Sequence, residues 1–205
     1  KTGSPETEGK SMKAHEIVIA GFGGQGVLSM GQIIAYAAMI EGREVSWMPS
    51  YGPEMRGGTA NCIVIISPSR ISSPIVSRFD SAIILNQPSL MKFEHDVKPG
   101  GFLMYEQSTV LTLPTRKDLE LLSIPGIEEA VRLQKKQVAN MVLLGAFLER
   151  RPLVRAENVM SALKKTLPER HHHLLPLNEQ ALARGRELAS CVTTQRVDSY
   201  QPSRF

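Results

Sequence analysis

The sequence has 205 residues, of which 42% are hydrophobic and 21% charged, and its formal net charge is +4 at pH 7. This composition is typical of a folded domain rather than a disordered chain, and the length suits one domain with tails. The longest uncharged apolar run, Val138 to Leu148, is about half of the ~20 residues that cross a membrane. Only 5% of the residues are aromatic and no basic stripe is present, which argues against a nucleic-acid-binding surface.

The ends of the chain and its two cysteines limit which domain organisation and which metal sites the sequence can have. Residues 1–12 have no apolar core and are interpreted as a flexible tail or an appended remnant, and residues 191–205 as a C-terminal tail. Residues 13–190 then form a single α/β domain. Cys62 and Cys191 belong to no CxxC pair, which excludes an iron–sulfur cluster or a four-thiolate zinc site held by this chain alone. Cysteine scarcity also favours a cytoplasmic location.

The first elements in chain order are a strand, a glycine-rich turn, a helix and a second strand. The run at 16–20 is short, apolar and β-branched, which predicts a buried strand. Apolar residues recur at helical spacing over 27–40, and Gly42 suits a C-cap. Residues 44–48 predict a second strand that stops at Pro49. This order is typical of a Rossmann-like βαβ unit.

The remaining elements complete an α/β pattern. Further strands are predicted at 60–67, 81–86, 102–105 and near 110–113, with a turn at 98–101 and an irregular passage at 123–126. Helices are predicted from 88 to about 95, over 127–150 with a break near 134–136, over 157–167 and over 178–188. Because the strand at 60–67 follows a loop rather than a helix, the sheet is mostly parallel or mixed. The predicted fold is a three-layer α/β/α domain around this sheet.

Glycine is concentrated in one part of the chain. Nine of the 16 glycines lie between Gly21 and Gly58, where tight turns or a close approach to a ligand are expected. The segment 21–26, GFGGQG, fits the pattern G-x-G-x-x-G between a strand and a helix. Its amides and the helix N-terminus can hold an anion such as pyrophosphate, or the glycines can simply permit tight packing. An NAD site would also need an acid at the end of the second strand, but 46–49 reads SWMP, which disfavours independent NAD(P) binding.

The second glycine-rich segment, 49–58 (PSYGPEMRGG), is predicted to be a polar loop of constrained shape. It follows the second strand, so it can fold over the first glycine turn at the same sheet edge. Arg56 beside Gly57 and Gly58 suits a carboxylate or a phosphate, because a fork of guanidinium donors meets exposed backbone amides. The alternative is a loop that docks on a partner subunit, and the two interpretations are compatible.

No set of residues forms a self-sufficient catalytic centre. Three consecutive histidines at 171–173 cannot all face one way, so this run is interpreted as a solvated turn rather than a metal site. Cys62 lies in a predicted buried strand and is assigned to the core. Asn140 lies in an apolar helical stretch, where its amide either pins the helix to a loop, the favoured interpretation, or reaches a ligand.

Together, GFGGQGV at 21–27 and SYGPEMRGGTAN at 50–61 resemble the gamma subunit of 2-oxoacid:ferredoxin oxidoreductases and the equivalent domain of single-chain pyruvate:ferredoxin oxidoreductases. The agreement covers roughly residues 13–186. It continues at Asp80, Lys98-Pro-Gly-Gly101, Val138-Ala-Asn140-Met141, Leu144-Gly145-Ala146, Pro176-Leu-Asn178, Ala181 and Gly185. The form of the second motif resembles the 2-oxoglutarate and branched-chain 2-oxoacid subgroup.

The resemblance implies a complex that oxidatively decarboxylates a 2-oxoacid to an acyl-CoA. Thiamine diphosphate with Mg forms the adduct, and electrons pass through iron–sulfur clusters to ferredoxin. The implied partners are the alpha, beta and, where separate, delta subunits, which supply these cofactors. This chain agrees, because it has neither cluster cysteines nor a G-D-G motif followed by an Asn-Asn pair. It is then expected to bind none of these cofactors alone.

The expected role of the chain is to build the assembly and to line the approach to the active centre, near coenzyme A. No catalytic residue or metal ligand is expected, and neither nucleic acid nor membrane is an expected partner. The candidate ligand- or interface-binding residues are Gly23, Gly24, Gln25, Gly26, Ser50, Tyr51, Gly52, Glu54, Arg56, Gly57, Gly58 and Asn140. The alternative function is a stand-alone nucleotide- or flavin-binding module.

Overall fold

The computed structural model describes residues 13–50 and 59–192. Its strands are β1 (His15–Phe22), β2 (Glu44–Ser50), β3 (Thr59–Ser67), β4 (Phe79–Ile84), β5 (Val97–Glu106) and β6 (Glu120–Ile124). Its helices are α1 (Val27–Ile40), α2 (Gln87–Phe93), α3 (Gly126–Arg132), α4 (Ala139–Arg150), α5 (Ala156–Thr166) and α6 (Leu175–Cys191). Short 3₁₀ helices span Glu94–Asp96, Lys136–Val138 and Glu169–Leu174.

The strands form one mixed sheet in the order β2-β3-β1-β4-β5-β6. β1, β4, β5 and β6 are parallel, whereas β3 is antiparallel to both of its neighbours, β1 and β2. β3 therefore separates the two strands of the first βαβ unit. Only eight residues separate the end of β2 from the start of β3, fewer than the dozen or so that a parallel crossover needs, so this pair is antiparallel. The predicted α/β fold with a mixed sheet is confirmed. The carboxyl ends of all five co-directional strands lie at one edge.

The core has two parts, one on each face of the sheet. In β1, Ile17 and Ile19 point to one face and Val18 and Ala20 to the other, and all four side chains are fully buried. The larger cluster lies under α1, α4, α5 and α6, and the smaller one lies under α2 and its flanking loops. A central strand buried on both faces explains the continuous apolar run that predicted it.

α4 and α6 cross at backbone contact. A Cβ atom built on Gly145 would lie 2.0 Å from the carbonyl oxygen of Leu182, and one built on Gly185 would lie 1.9 Å from that of Val142. Each glycine therefore faces the backbone of the other helix. This reciprocal pair sets how closely the two helices approach on the larger side of the core.

Several predictions between residues 97 and 124 are wrong. The predicted turn at 98–101 lies inside β5, where Gly100 adopts a φ of 72° and the pairing register with β4 shifts, as at a β-bulge. The predicted strand at 110–113 is absent, because residues 107–119 form a loop from which Leu111 and Leu113 project into solvent. The sixth strand is Glu120–Ile124, which includes part of the passage predicted to be irregular.

Other differences are small. β2 continues through Pro49 to Ser50, because an edge strand tolerates a residue without an N–H. The histidines at 171–173 lie in a 3₁₀ helix, where the His172 and His173 rings bond to backbone carbonyls. Cys62 is fully buried, as predicted.

Candidate functional site

The glycine turn lies at the carboxyl end of β1, in the position that the sequence predicts. Gly24 and Gly26 adopt φ values of 89° and 79°, the left-handed region that favours glycine. Gly23 and Gly24 are exposed, and no atom lies within 4 Å of a Cβ built on Gly24. The amide of Gln25 donates to the carbonyl oxygen of Phe22 at 3.2 Å, so it is already engaged within the turn. The free surface of the turn is therefore formed by Gly23 and Gly24.

The side chain of Gln25 connects two strands. Its Oε1 accepts from the amide of Phe22 at 2.6 Å, and its Nε2 donates to the carbonyl oxygen of Leu85, directly after β4, at 3.1 Å. The Thr109 hydroxyl donates to the same carbonyl at 2.7 Å. A Cβ on Gly21 would lie 2.7 Å from the Gln25 Oε1, so glycine is needed there. Sequence reasoning considered only the backbone of Gln25 and missed this role.

This side chain occupies the place where nucleotides bind in doubly wound sheets. In such folds the ligand crevice opens at the carboxyl ends of neighbouring strands whose connections lead to opposite sides. Here these strands are β1 and β4, since β1 leads through α1 to β2 and β4 leads through α2 to β5. Gln25 bridges the ends of both strands. The Gln25 side chain therefore lies across the crevice between these two strands and reduces the space left for a ligand there.

Asn140 brings a second helix N-terminus to the glycine turn. It is the second residue of α4, and a Cβ on Gly26 would lie 2.7 to 2.9 Å from its side-chain atoms. The Asn140 side chain is half-buried, and its amide has no hydrogen-bond partner among residues 13–50 and 59–192. Asn140 therefore packs on the turn, and both interpretations of its amide remain predictions.

Two helix N-termini with positive partial charge thus meet at Gly26 and Asn140. Neither α1 nor α4 has a side-chain cap hydrogen bond or an acidic residue in its first turn. Each carries about half a positive charge from its aligned peptide dipoles. Lys135 and Lys136, just before α4, add side-chain charge. A phosphate or a carboxylate has the charge that suits such an arrangement.

The second glycine segment begins and ends beside this turn. Ser50, the last residue of β2, pairs with Asn61 of β3, which in turn pairs with Ala20 of β1. Ser50 is therefore two strand spacings, about 10 Å, from β1. Thr59, directly after the segment, pairs with Phe22 at the start of the glycine turn. The candidate residues between them, Tyr51, Gly52, Glu54, Arg56, Gly57 and Gly58, lie outside the described residues.

Glu106 is a buried acid at this edge that sequence reasoning missed. Its Oε2 accepts from the amides of Ser108 and Thr109 at 2.8 and 2.9 Å and from both hydroxyls, and its Oε1 accepts from the amide of Ile127 at 3.2 Å. The side chain is 1% exposed. With both oxygens engaged, Glu106 ties β5 to the start of α3 rather than acting as a free base. In the sequence, the acid at the end of β5 is followed by Ser108 and Thr109, and this pattern could have indicated that the carboxylate is bound by neighbouring hydroxyl groups.

Asp80 and Lys98, two of the residues that resemble the family, lie at the opposite edge of the sheet from the glycine turn. The Lys98 Nζ contacts Glu16 at 2.6 Å and Asp80 at 2.8 Å, and Asp80 also accepts from the amide of Glu16. These contacts join β1, β4 and β5, so Asp80 and Lys98 hold the sheet together rather than line the candidate site.

The described residues offer little to a metal ion. They contain no group of three or more His, Cys, Asp or Glu side chains arranged to hold one. Burial raises the pKa of the Cys62 thiol to about 12, which makes it a poor nucleophile. In the same ranges, no helix combines the length and apolar character that crossing a membrane requires.

Comparison with known proteins places this geometry in context. A family model described as pyruvate ferredoxin/flavodoxin oxidoreductase matches residues 16–188. The 2-oxoglutarate synthase subunit KorC of Methanothermobacter marburgensis is 33% identical over 180 residues, which cover 84% of this chain and 95% of KorC. The ketoisovalerate oxidoreductase subunit VorA of the same organism is 45% identical over 132 residues, which cover 64% of this chain. That match spans only 27% of VorA, so the chain accounts for about a quarter of this relative.

Solved structures share the fold. The gamma subunit of a keto/oxoacid ferredoxin oxidoreductase from Geobacter sulfurreducens is 31% identical, with a TM-score of 0.75, and the match covers 87% of this chain and 99% of that one. The 2-oxoglutarate:ferredoxin oxidoreductase of Magnetococcus marinus is 24% identical, with a TM-score of 0.81, and the match covers 91% of this chain and 34% of that one. The second likeness is one of fold alone.

Proposed function

The chain belongs to the pyruvate ferredoxin/flavodoxin oxidoreductase family, and we propose that it is the gamma-type subunit of a 2-oxoacid:ferredoxin oxidoreductase. In the proposed reaction the 2-oxoacid loses CO2, its acyl group passes to the thiol of coenzyme A, and two electrons pass to ferredoxin. The observation that carries the proposal is the near-complete match to KorC, because it accounts for almost the whole of that subunit.

Within the complex we assign the thiamine diphosphate, Mg and iron–sulfur sites to other subunits. For the metal ions, this assignment is supported by the described residues, which contain no group of three or more His, Cys, Asp or Glu side chains arranged to hold one. Cys62 is buried in β3 and Cys191 is exposed at the end of α6, so the two thiols cannot ligate one cluster. The proposed contribution of this chain is therefore structural and electrostatic.

The proposed contribution at the active-centre approach is to hold an anionic group at the glycine turn. Gly23, Gly24 and Gly26 present backbone beside the N-termini of α1 and α4, and Asn140 adds an amide donor. A helix N-terminus stabilises a nearby negative charge by about 0.3–1 kcal/mol, and by up to ~2 kcal/mol when partly buried. A phosphate of coenzyme A, the diphosphate of thiamine diphosphate and a carboxylate of a partner subunit all have the required chemistry.

The proposal extends to the second glycine segment. Ser50 and Thr59 place the ends of this segment beside the turn, which supports Arg56 as a positive partner for the same anionic group. Ser50, Tyr51 and Glu54 then shape the loop or contact the neighbouring subunit. The substrate is proposed to be 2-oxoglutarate or a branched-chain 2-oxoacid, chosen by the thiamine-binding subunits.

One experiment separates this function from a stand-alone nucleotide- or flavin-binding module. The chain is purified alone, and its absorbance and its melting temperature are recorded with NAD, FAD, FMN and coenzyme A. Because the Gln25 side chain lies across the crevice between β1 and β4, we expect a colourless protein with no large shift from the dinucleotides. A yellow protein, or stabilisation by a dinucleotide, would contradict the proposal.

A second experiment tests assembly and substrate. The chain is co-expressed with the thiamine- and cluster-bearing proteins encoded beside it, and the purified complex is assayed for reduction of ferredoxin. Activity with 2-oxoglutarate or ketoisovalerate that requires both coenzyme A and this chain supports the proposal. A complex that turns over equally well without this chain would refute it.

A further inference from the structure

The four most exposed large apolar side chains of the described residues lie over one face of the sheet. They are Ile75, Met91, Leu111 and Leu113, which are 86%, 72%, 84% and 66% exposed. The last three lie on α2 and on the loop attached to it, and they are here named the α2 patch. The chain neighbours of these four residues, Val76, Leu90 and Val110, pack into the core cluster under α2. The next most exposed, Met39, is 58% exposed and lies on α1, on the opposite face. So much exposed apolar surface in one place marks an interaction site.

The α2 patch is held rigidly. The Gln87 side chain bonds both the amide and the carbonyl of Thr112, at 2.8 and 3.3 Å. The Glu94 carboxylate, 5% exposed, accepts from the amides of Thr115 and Arg116 and from the Thr115 hydroxyl. The loop is therefore attached to α2 at two points. These hydrogen bonds fix its backbone in a position that leaves the side chains of Leu111 and Leu113 in solvent.

Met91 belongs to the same surface. It follows Gln87 by four residues and precedes Glu94 by three, so it shares their side of the helix. This side of α2 faces the loop, and Leu113 lies in the loop between its two attachment points, Thr112 and Thr115. Because the patch is already ordered, binding to it costs little conformational entropy.

The border of the α2 patch is basic. Lys92, Lys117 and Arg78 are exposed, and none of them forms an ion pair within residues 13–50 and 59–192. Of the acids in residues 87–96 and 107–118, Glu94 is buried and Asp118 is paired with Arg116, which leaves the half-buried Asp96. The complementary surface is thus apolar at its centre and bordered by carboxylates.

We propose that the α2 patch is the surface on which a different subunit of the oxidoreductase complex docks, through an apolar area bordered by carboxylates. This inference rests on the proposed function, since it takes the partner from that complex. A second copy of this chain does not fit, because a two-fold contact would place the two basic borders against each other.

The test uses the co-expressed complex. Leu111→Asp with Leu113→Asp changes the patch, and Met39→Asp with Ile40→Asp is the control at the exposed end of α1. A third variant, Lys92→Glu with Lys117→Glu, changes only the border. Complex formation is measured as a dissociation constant by mass photometry, and the melting temperature of each free chain is recorded. Exposed positions of this kind tolerate substitution, so all three chains are expected to fold.

The leucine variant is expected to bind its partner subunits about tenfold more weakly or worse, because each aspartate would lose its hydration against an apolar surface without gaining a partner. The border variant is expected to lose affinity and salt dependence together, whereas the control retains both. If the leucine variant assembles as tightly as the control, the inference fails while the proposed function stands. If the unmodified chain joins no thiamine- or cluster-bearing protein, both fail. Self-association that Leu111→Asp abolishes would also overturn the inference, in favour of a second copy.

Discussion

Replacing Gly145 by alanine is expected to force α4 and α6 apart. The added Cβ would lie 2.0 Å from the carbonyl oxygen of Leu182, whereas ordinary contact begins near 3.4 Å. The atom it meets is backbone of the facing helix, which cannot rotate away as a side chain could. The helices must therefore separate locally by about 1.4 Å, the difference between these distances.

Two opposing terms decide the size of the effect. Alanine improves helix propensity over glycine by about 1 kcal/mol, which favours the variant. Overpacking costs about 1–3 kcal/mol or more, and a gap of ~0.5–1 Å already loses a quarter to a half of each dispersion contact along the interface. We expect the steric term to win, with the free energy of unfolding lower by about 2 kcal/mol. For a chain of this size that corresponds to a melting temperature lower by roughly 4–8 °C.

The assay is urea unfolding of the purified chain, followed by circular dichroism. Gly185→Ala is expected to behave alike, since its Cβ would lie 1.9 Å from the carbonyl oxygen of Val142. The double variant should cost less than the sum of the two, because the first substitution already opens the interface. Gly126→Ala is the matched control with a smaller cost, because its Cβ would meet only the movable side chain of Leu143. A Gly145→Ala chain as stable as the unmodified one would refute the proposed helix contact.

Three further predictions concern the two edges of the sheet. Gln25→Ala removes two hydrogen bonds at the ends of β1 and β4, and it is expected to lower the free energy of unfolding by about 1–3 kcal/mol. Urea titration measures this change. Gln107→Ala, at an exposed site, is the control and should leave the free energy of unfolding unchanged. Burial lowers the pKa of His15 below its usual 6.5, so the unfolded chain binds its proton first as the pH falls and stability should decline between pH 7 and 5. This decline should be smaller in His15→Gln, and an identical pH profile would contradict the assignment. Arg56→Ala should leave the melting temperature unchanged but reduce turnover of the assembled complex. The control, Arg70→Ala at the opposite edge of the sheet, should retain activity. If the Arg56→Ala complex turns over as fast as the unmodified complex, Arg56 does not belong to the proposed site.

The first half of the fold could be predicted because its signals are local. β1 is apolar on both faces, α1 repeats at helical spacing, and the turn between them carries glycines whose positive φ values the structure confirms at Gly24 and Gly26. The two motifs around these elements also indicated the family, which the family model and the KorC match confirm.

The region after β4 was harder because its outcome depends on distant neighbours. Leu111 and Leu113 alternate as in a strand, yet Gln87 and Glu94 hold their loop along α2 and leave both leucines in solvent. Gly100, which suggested a turn, instead forms a bulge within β5. Periodicity reports the local preference of a segment, but not which surface covers it.

The sequence by itself determined the order of the elements as far as β4, the glycine turn and the family, because these depend on residues adjacent in the chain. Only the tertiary structure showed that Gln25 spans β1 and β4, and that Asn140 meets Gly26 where two helix N-termini converge. Gln25 and Leu85 are 60 positions apart, and no local pattern encodes such a contact. The glycines make the turn look like a nucleotide site, but the Gln25 side chain among them lies across the crevice, and only the folded chain brings it to Leu85.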